Sequence, residues 1–128
     1  MKLDRTGFIL YTVNYKECVH FYESILELPK LFESENLTCF EFGTAYLMVE
    51  LDDEFNEEKK ESTRTKTCLR MNVSNIQYVK NKLIQKEVNV DYQEHTWGSV
   101  VKFFDPDGNL CAFKDSSTFE QQILKFKN

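Results

Sequence analysis

Apolar and polar positions alternate in short runs along this chain, and two of those runs lead directly into a stripe of helical period. Gly7–Val13 reads as a strand. Asn14-Tyr15-Lys16-Glu17 then places an N-cap residue three positions before an acid, the pattern of a capping box. Cys18, Val19, Tyr22, Ile25 and Leu26 recur at three- to four-residue spacing or its multiples, which predicts a helix that Leu28-Pro29 stops. Leu31–Glu33, Leu37–Phe42 and Ala45–Leu51 read as three short strands, separated by Ser34-Glu35-Asn36 and by Gly43-Thr44. The order is βαβββ.

From Asp52 to Arg64 almost every residue is charged or polar, as in a solvated connection between two units. The first pattern then returns. Thr67–Val73 is a strand, Ser74-Asn75-Ile76-Gln77 is a second capping box, and Ile76, Val79 and Leu83 share one helical face. Val88–His95, Val100–Phe104 and Leu110–Lys114 supply three more strands. A βαβββ unit exposes one sheet face and cannot bury it alone, so two copies must close on each other. The expected class is α+β: tandem modules over about residues 5–51 and 65–115, joined by a linker over 52–64, forming a half-open eight-stranded barrel with the helices outside and a concave cleft within. Ser117-Thr118-Phe119-Glu120 opens a C-terminal helix over about 117–127, whose apolar face of Phe119, Ile123, Leu124 and Phe126 is incomplete. It is expected to dock on the body or across a subunit boundary.

Between the last two strands, Asp105-Pro106-Asp107-Gly108-Asn109 forms a tight hairpin, with Pro presetting φ and Gly and Asn tolerating positive φ. This finish, W-G from Trp97 and then D-P-D-G-N, resembles the closing hairpin of the glyoxalase / bleomycin-resistance / extradiol-dioxygenase family, the vicinal oxygen chelate fold. The resemblance extends over nearly the whole chain: the helix containing H-F-Y-E-S-I-L-E-L-P and the strand Y-L-M-V-E-L fit it too.

Composition narrows the expected partners. A net charge of −5 and a pI near 5.1 argue against nucleic acid, which usually demands a basic stripe. No apolar run approaches the length needed to span a bilayer, and Met1-Lys2-Leu3-Asp4-Arg5 runs into a strand pattern without a signal-peptide core, so the expected setting is the cytoplasm, away from membranes. Cys18, Cys39, Cys68 and Cys111 stand far apart and read as small buried hydrophobes in a reducing compartment.

Metal-using members of the family that this chain resembles place four ligands on the cleft. Carried over by position, those sites fall on Gly7, Glu50, Cys68 and Ala112, of which only Glu50 and Cys68 bear donors. A carboxylate and a thiolate alone suit neither a magnesium or manganese site nor a closed zinc site, so no divalent metal or other cofactor is expected. His20 belongs to the first helix, away from the cleft, while His95 stands nearer its mouth.

The facing pattern of the family implies that Gly7, Ile9 and Tyr11, Tyr46, Met48 and Glu50, and Cys68, Arg70 and Asn72 point inward. Arg70 and Glu50 are expected to pair with each other or with Glu41 and Lys102, since single buried charges are costly. The resemblance implies a homodimer whose clefts sequester a small organic molecule, an antibiotic or a metabolite. In that reading Glu50, Cys68 and Arg70 are the polar contacts, and Tyr11, Tyr46, Met48 and Trp97 supply apolar area. Trp97 also reads as a simple hydrophobic plug. The alternatives are a lyase, isomerase or thiol-transferase using Glu50, Cys68 and His95, with Arg70 activating the thiol, or a metal-dependent lyase or dioxygenase with degenerate ligands. A further reading has the second module's edge or the C-terminal helix docking on another protein while the cleft stays unused.

Overall fold

The computed structural model describes every residue from Met1 to Asn128. Its elements are β1 (Arg5–Thr12), α1 (Tyr15–His20) with a π-helical continuation (Phe21–Ile25), β2 (Lys30–Ser34), β3 (Leu37–Phe42), β4 (Ala45–Leu51), β5 (Phe55–Asn56), β6 (Glu61–Ser62), β7 (Thr67–Val73), α2 (Ile76–Gln85), β8 (Asp91–His95), β9 (Gly98–Phe104), β10 (Leu110–Asp115) and α3 (Ser116–Lys127). Eight strands form one sheet in the order β2-β3-β4-β1-β7-β10-β9-β8, and β5 and β6 pair separately. The barrel is half-open, with β2 and β8 as free edges.

The duplication is visible in the pairing. β1 runs parallel to β4 and β7 parallel to β10, while β1 and β7 meet antiparallel at the centre. Each half is therefore the same ladder turned about an axis between β1 and β7. The helix caps Asn14 and Asn75 make Gly7 the counterpart of Cys68. The outward face of β3 and β4 buries Phe40, Leu47 and Val49 under Cys18, Val19 and Tyr22 of the first helix. On the other half, Val101 and Phe113 pack against Val79 and Leu83 of α2.

The first expected helix start keeps its place and the other two shift. Asn14 caps α1 without a side-chain hydrogen bond, because its backbone (φ −93°, ψ 66°) is not the extended conformation that lets a cap side chain fold back. At α2 the cap is Asn75 rather than Ser74, its side chain accepting from the Tyr78 N–H at 3.0 Å. Asp115 caps α3 in place of Ser117, accepting from the Thr118 N–H at 2.9 Å. The first helix also widens into the π turn, which rotates the expected stripe and leaves Ile25 and Leu26 exposed. Glu27, at φ +55°, ends it ahead of Leu28-Pro29.

The closing hairpin forms as expected. Asp105 accepts from the Asp107 and Asn109 N–H groups, each at 2.9 Å, and Gly108 takes φ +83°. α3 docks on its own body and lies on the concave side of the sheet. Its Phe119 and Ile123 join Ile9, Tyr11, Phe32 and Tyr46 in the largest buried cluster. No helix is long and apolar enough to cross a membrane.

Candidate functional site

Alternation along a strand sends every second side chain to one face, and the pairing registers then align those side chains into rows across the concave wall. One row runs Glu41, Tyr46, Gly7, Arg70, Ala112, Lys102. On one side of it lies a row with Met48, Ile9 and Cys68, and beyond that Glu50 beside Tyr11. On the other side lies a row of Arg5, Asn72, Lys114 and Val100. The nine residues expected to point inward do so: Glu50 is half-buried and the other eight are buried.

Two ends of this wall differ. At the end near Asn72, α3 forms a roof: Phe119 is fully buried, with its ring 4.6 Å from Tyr46 and 5.4 Å edge-on from Phe32. Lys114 fixes the start of that roof, donating to the Trp97 carbonyl at 2.8 Å, to Asp115 Oδ1 at 3.1 Å and to the Thr118 hydroxyl. At the opposite end Glu50 and Leu37 remain half-exposed, as do Leu110 and, level with Arg70, Lys102. None of the five principal cavities is lined by Tyr11, Tyr46, Met48, Glu50, Cys68 or Arg70. The largest, about 840 Å³, runs past Arg5, Glu41 and Glu120 instead.

The expected charge pairing within the wall is not made. Arg70 is 6% exposed and has no carboxylate within 4.0 Å, and its Nε has no hydrogen-bond acceptor. Geometry explains this. Glu50 lies four residues, roughly 13 Å, further along β4 than Tyr46, the residue level with Arg70. Glu41 is level with Arg70 but three strands away and exposed, and Lys102, two strands away, enters no ion pair either. Burial raises the Glu50 pKa, and longer-range attraction to the cations Arg64, Arg70 and Lys102 only partly opposes that.

Trp97 stands apart from the other candidates. It is 44% exposed at the β8–β9 turn, stacked on His95 with ring centroids 4.3 Å apart, and lines a small cavity with Thr118 and Gln122. Its backbone meets Lys114, at the roofed end, whereas Glu50 lies at the open end about 20 Å along the strands. His95 is exposed and bonded to Gln93 at 2.8 Å. His20 is exposed on α1, on the convex side.

A metal does not fit the residues present. No three His, Cys, Asp or Glu side chains come together. At Gly7 even a Cβ would stand 2.5 Å from the Tyr46 ring and the Tyr46 carbonyl oxygen, so no donor side chain can occupy that position. Ala112 bears no donor. Burial pushes the Cys68 thiol up to about 11, outweighing the lowering by Arg70, so it is neutral at physiological pH and unsuited to thiolate chemistry.

Sequence reasoning missed three contributors. Arg64, from the polar linker, lies over the Tyr11 ring at 4.5 Å and is held by Asp53 at 2.8 Å and Glu54 at 2.7 Å. The one hint was a lone Arg following a run of acids. Lys114 and Phe119 were the others, and only the docking of α3 reveals them. Tyr46 and Asn72 prove to be a unit, the hydroxyl donating to Asn72 Oδ1 at 2.7 Å.

The family model for the glyoxalase-like domain matches residues 6–118. No curated protein matches the sequence. Among solved structures, one described as a glyoxalase/bleomycin resistance protein/dioxygenase superfamily member from Vibrio splendidus 12B01 superposes with a TM-score of 0.66 at 15% identity, covering 90% of this chain and 100% of the other. One described as an NAD-dependent benzaldehyde dehydrogenase from Legionella pneumophila gives 0.68 at 17% identity, covering 86% and 97%. Hypothetical protein BH1468 from Bacillus halodurans C-125 gives 0.64 at 16%, covering 90% and 94%. At such identities these similarities show the fold alone.

Proposed function

The chain belongs to the glyoxalase-like domain family, and from that premise we propose that it binds a small organic molecule, an antibiotic or a metabolite, on its concave wall without a resident metal ion. The observation that carries this reading is Arg70, a buried guanidinium without a counter-ion in a wall otherwise built of Tyr11, Tyr46, Met48 and Cys68. A buried charge left unpaired costs several kcal/mol, and an apolar side chain of similar volume would serve packing better. A polar group on a ligand supplies the missing partner.

Sequestration is favoured over turnover because the wall's one half-buried carboxylate, Glu50, stands four residues along β4 from the level of Arg70 and makes no ion pair with it, and Cys68 bears a neutral thiol. The protein works as a homodimer with one such wall per protomer. A thermal-shift screen with small neutral, cationic and anionic aromatic compounds tests the binding. At least one class should raise Tm in the wild type and not in Cys68→Phe, whose larger side chain fills the wall; a screen in which no class binds refutes the reading. Equilibrium dialysis against zinc, nickel and manganese should show no stoichiometric uptake. Tight uptake that disappears in Glu50→Ala would overturn the metal-free half.

A further inference from the structure

The reading above leaves open what the bound molecule must carry. Two donors on neighbouring inward positions of β7 lack acceptors. Arg70 Nε is buried and unpartnered, and so is Asn72 Nδ2, on a residue with no exposure at all. Buried donors in folded proteins are paired in the great majority of cases, so two orphans at positions i and i+2 on one face call for an explanation. The Asn72 amide is already oriented, since its Oδ1 accepts from the Tyr46 hydroxyl and Nδ2 is therefore the group left over.

The surroundings are poor in acceptors and rich in positive charge. Lys102 stands level with Arg70 and in no ion pair. The carboxylates nearest the roof are committed elsewhere: Asp115 to Lys114 and Thr118, Glu120 to Arg5. Glu50 is at the far, half-exposed end. In a chain of net charge −5, this is a local excess of cation facing the concavity.

We infer that Arg70 and Asn72 form an anion subsite that receives the carboxylate of a small organic acid, one oxygen on Arg70 Nε and the other on Asn72 Nδ2, with Lys102 adding long-range attraction. Two donors on one edge match the two oxygens of a carboxylate, and a single guanidinium balances its single charge. The acid enters from the end marked by Glu50 and passes Met48 and Cys68, because α3 closes the other. Its apolar body then rests on Met48 and Cys68, next along the wall.

This inference rests on the binding reading above, and a matched series separates the two. Benzoate, benzamide, benzylamine and inorganic phosphate are titrated calorimetrically against the full chain, Arg70→Met, Arg70→Lys and, as a control on the convex side, Lys86→Met. Benzoate should bind one per chain, at least about tenfold more tightly than benzamide. Arg70→Met should lose that binding while remaining folded, Arg70→Lys should retain part of it, and Lys86→Met should match the wild type. Equal binding of benzoate and benzamide overturns the inference, as does benzoate binding that survives in Arg70→Met, or phosphate binding as tightly as benzoate. Benzylamine or benzamide bound on the wall and lost in Cys68→Phe, with benzoate inert, refutes the carboxylate assignment and leaves the binding reading standing. Inertness of all four probes overturns the inference.

Discussion

Phe119 is where the docking of α3 on the concave wall can be tested most sharply. Its ring is fully buried between Tyr46 at 4.6 Å and Phe32 at 5.4 Å, at the roofed end of the wall. Phe119→Ala removes that ring and leaves a cavity that rigid strands cannot close, a change that typically costs about 3 to 5 kcal/mol. With an unfolding entropy of about 2.1 cal/mol/K per residue, a chain of 128 residues loses on the order of 10 to 20 °C in Tm. The assay is two-state chemical and thermal unfolding followed by circular dichroism, with Leu124→Ala as control. Leu124 lies on the same helix but is 60% exposed, so its truncation should stay within about 0.5 kcal/mol. A loss below about 1 kcal/mol in Phe119→Ala would refute the roof, because no well-packed aromatic leaves so cheaply. A large loss whose size depends on protein concentration would instead place the helix on a partner protomer.

Other outcomes follow from the same geometry. Gly7→Ala forces a methyl against the Tyr46 ring and carbonyl and should cost about 1 to 3 kcal/mol by denaturant titration, only partly relieved by adding Tyr46→Ala, since the backbone oxygen remains. Burial opposes ionisation of Asp115, yet hydrogen bonds from Thr118, Ser99 and Lys114 hold its pKa at about 2, below the usual 3.8. Its stabilisation is thus complete above pH 3.8 and lost as pH falls toward 2, on the order of 1 to 2 kcal/mol in an acid titration, and Asp115→Asn should abolish that slope. Glu50→Gln should stabilise the ligand-free protein by a few tenths to about 1 kcal/mol near neutrality, because burial raises this carboxyl's pKa and its charge opposes folding. That gain should vanish below the ordinary value of 4.5. Sedimentation equilibrium should return about twice the 15.2 kDa chain mass for the proposed homodimer, and a monomer throughout would refute it.

The strands were legible in the sequence because alternation is local physics, and which parity of each strand faces inward came from the family resemblance. Ala45–Leu51 and Thr67–Val73 have the observed boundaries, and Tyr11, Met48, Cys68 and Arg70 face inward as the resemblance implied. The repeat was equally legible, since each module's helix and strands satisfy their own propensities before they meet. Register was not. Which residue of β1 stands beside which residue of β4 and β7 is settled by the packing of the two halves, and a shift of two residues leaves every face unchanged. For that reason the separation of Glu50 from Arg70 and the contact of Gly7 with Tyr46 could not be read from spacing. The third helix shows the same divide: its apolar residues were apparent, but only the assembled wall decided that Phe119 and Ile123 would face inward. Periodicity determined what each segment could bury, and tertiary structure decided which charge would be left without a partner, because pairing is a property of positions in space and not of order along the chain.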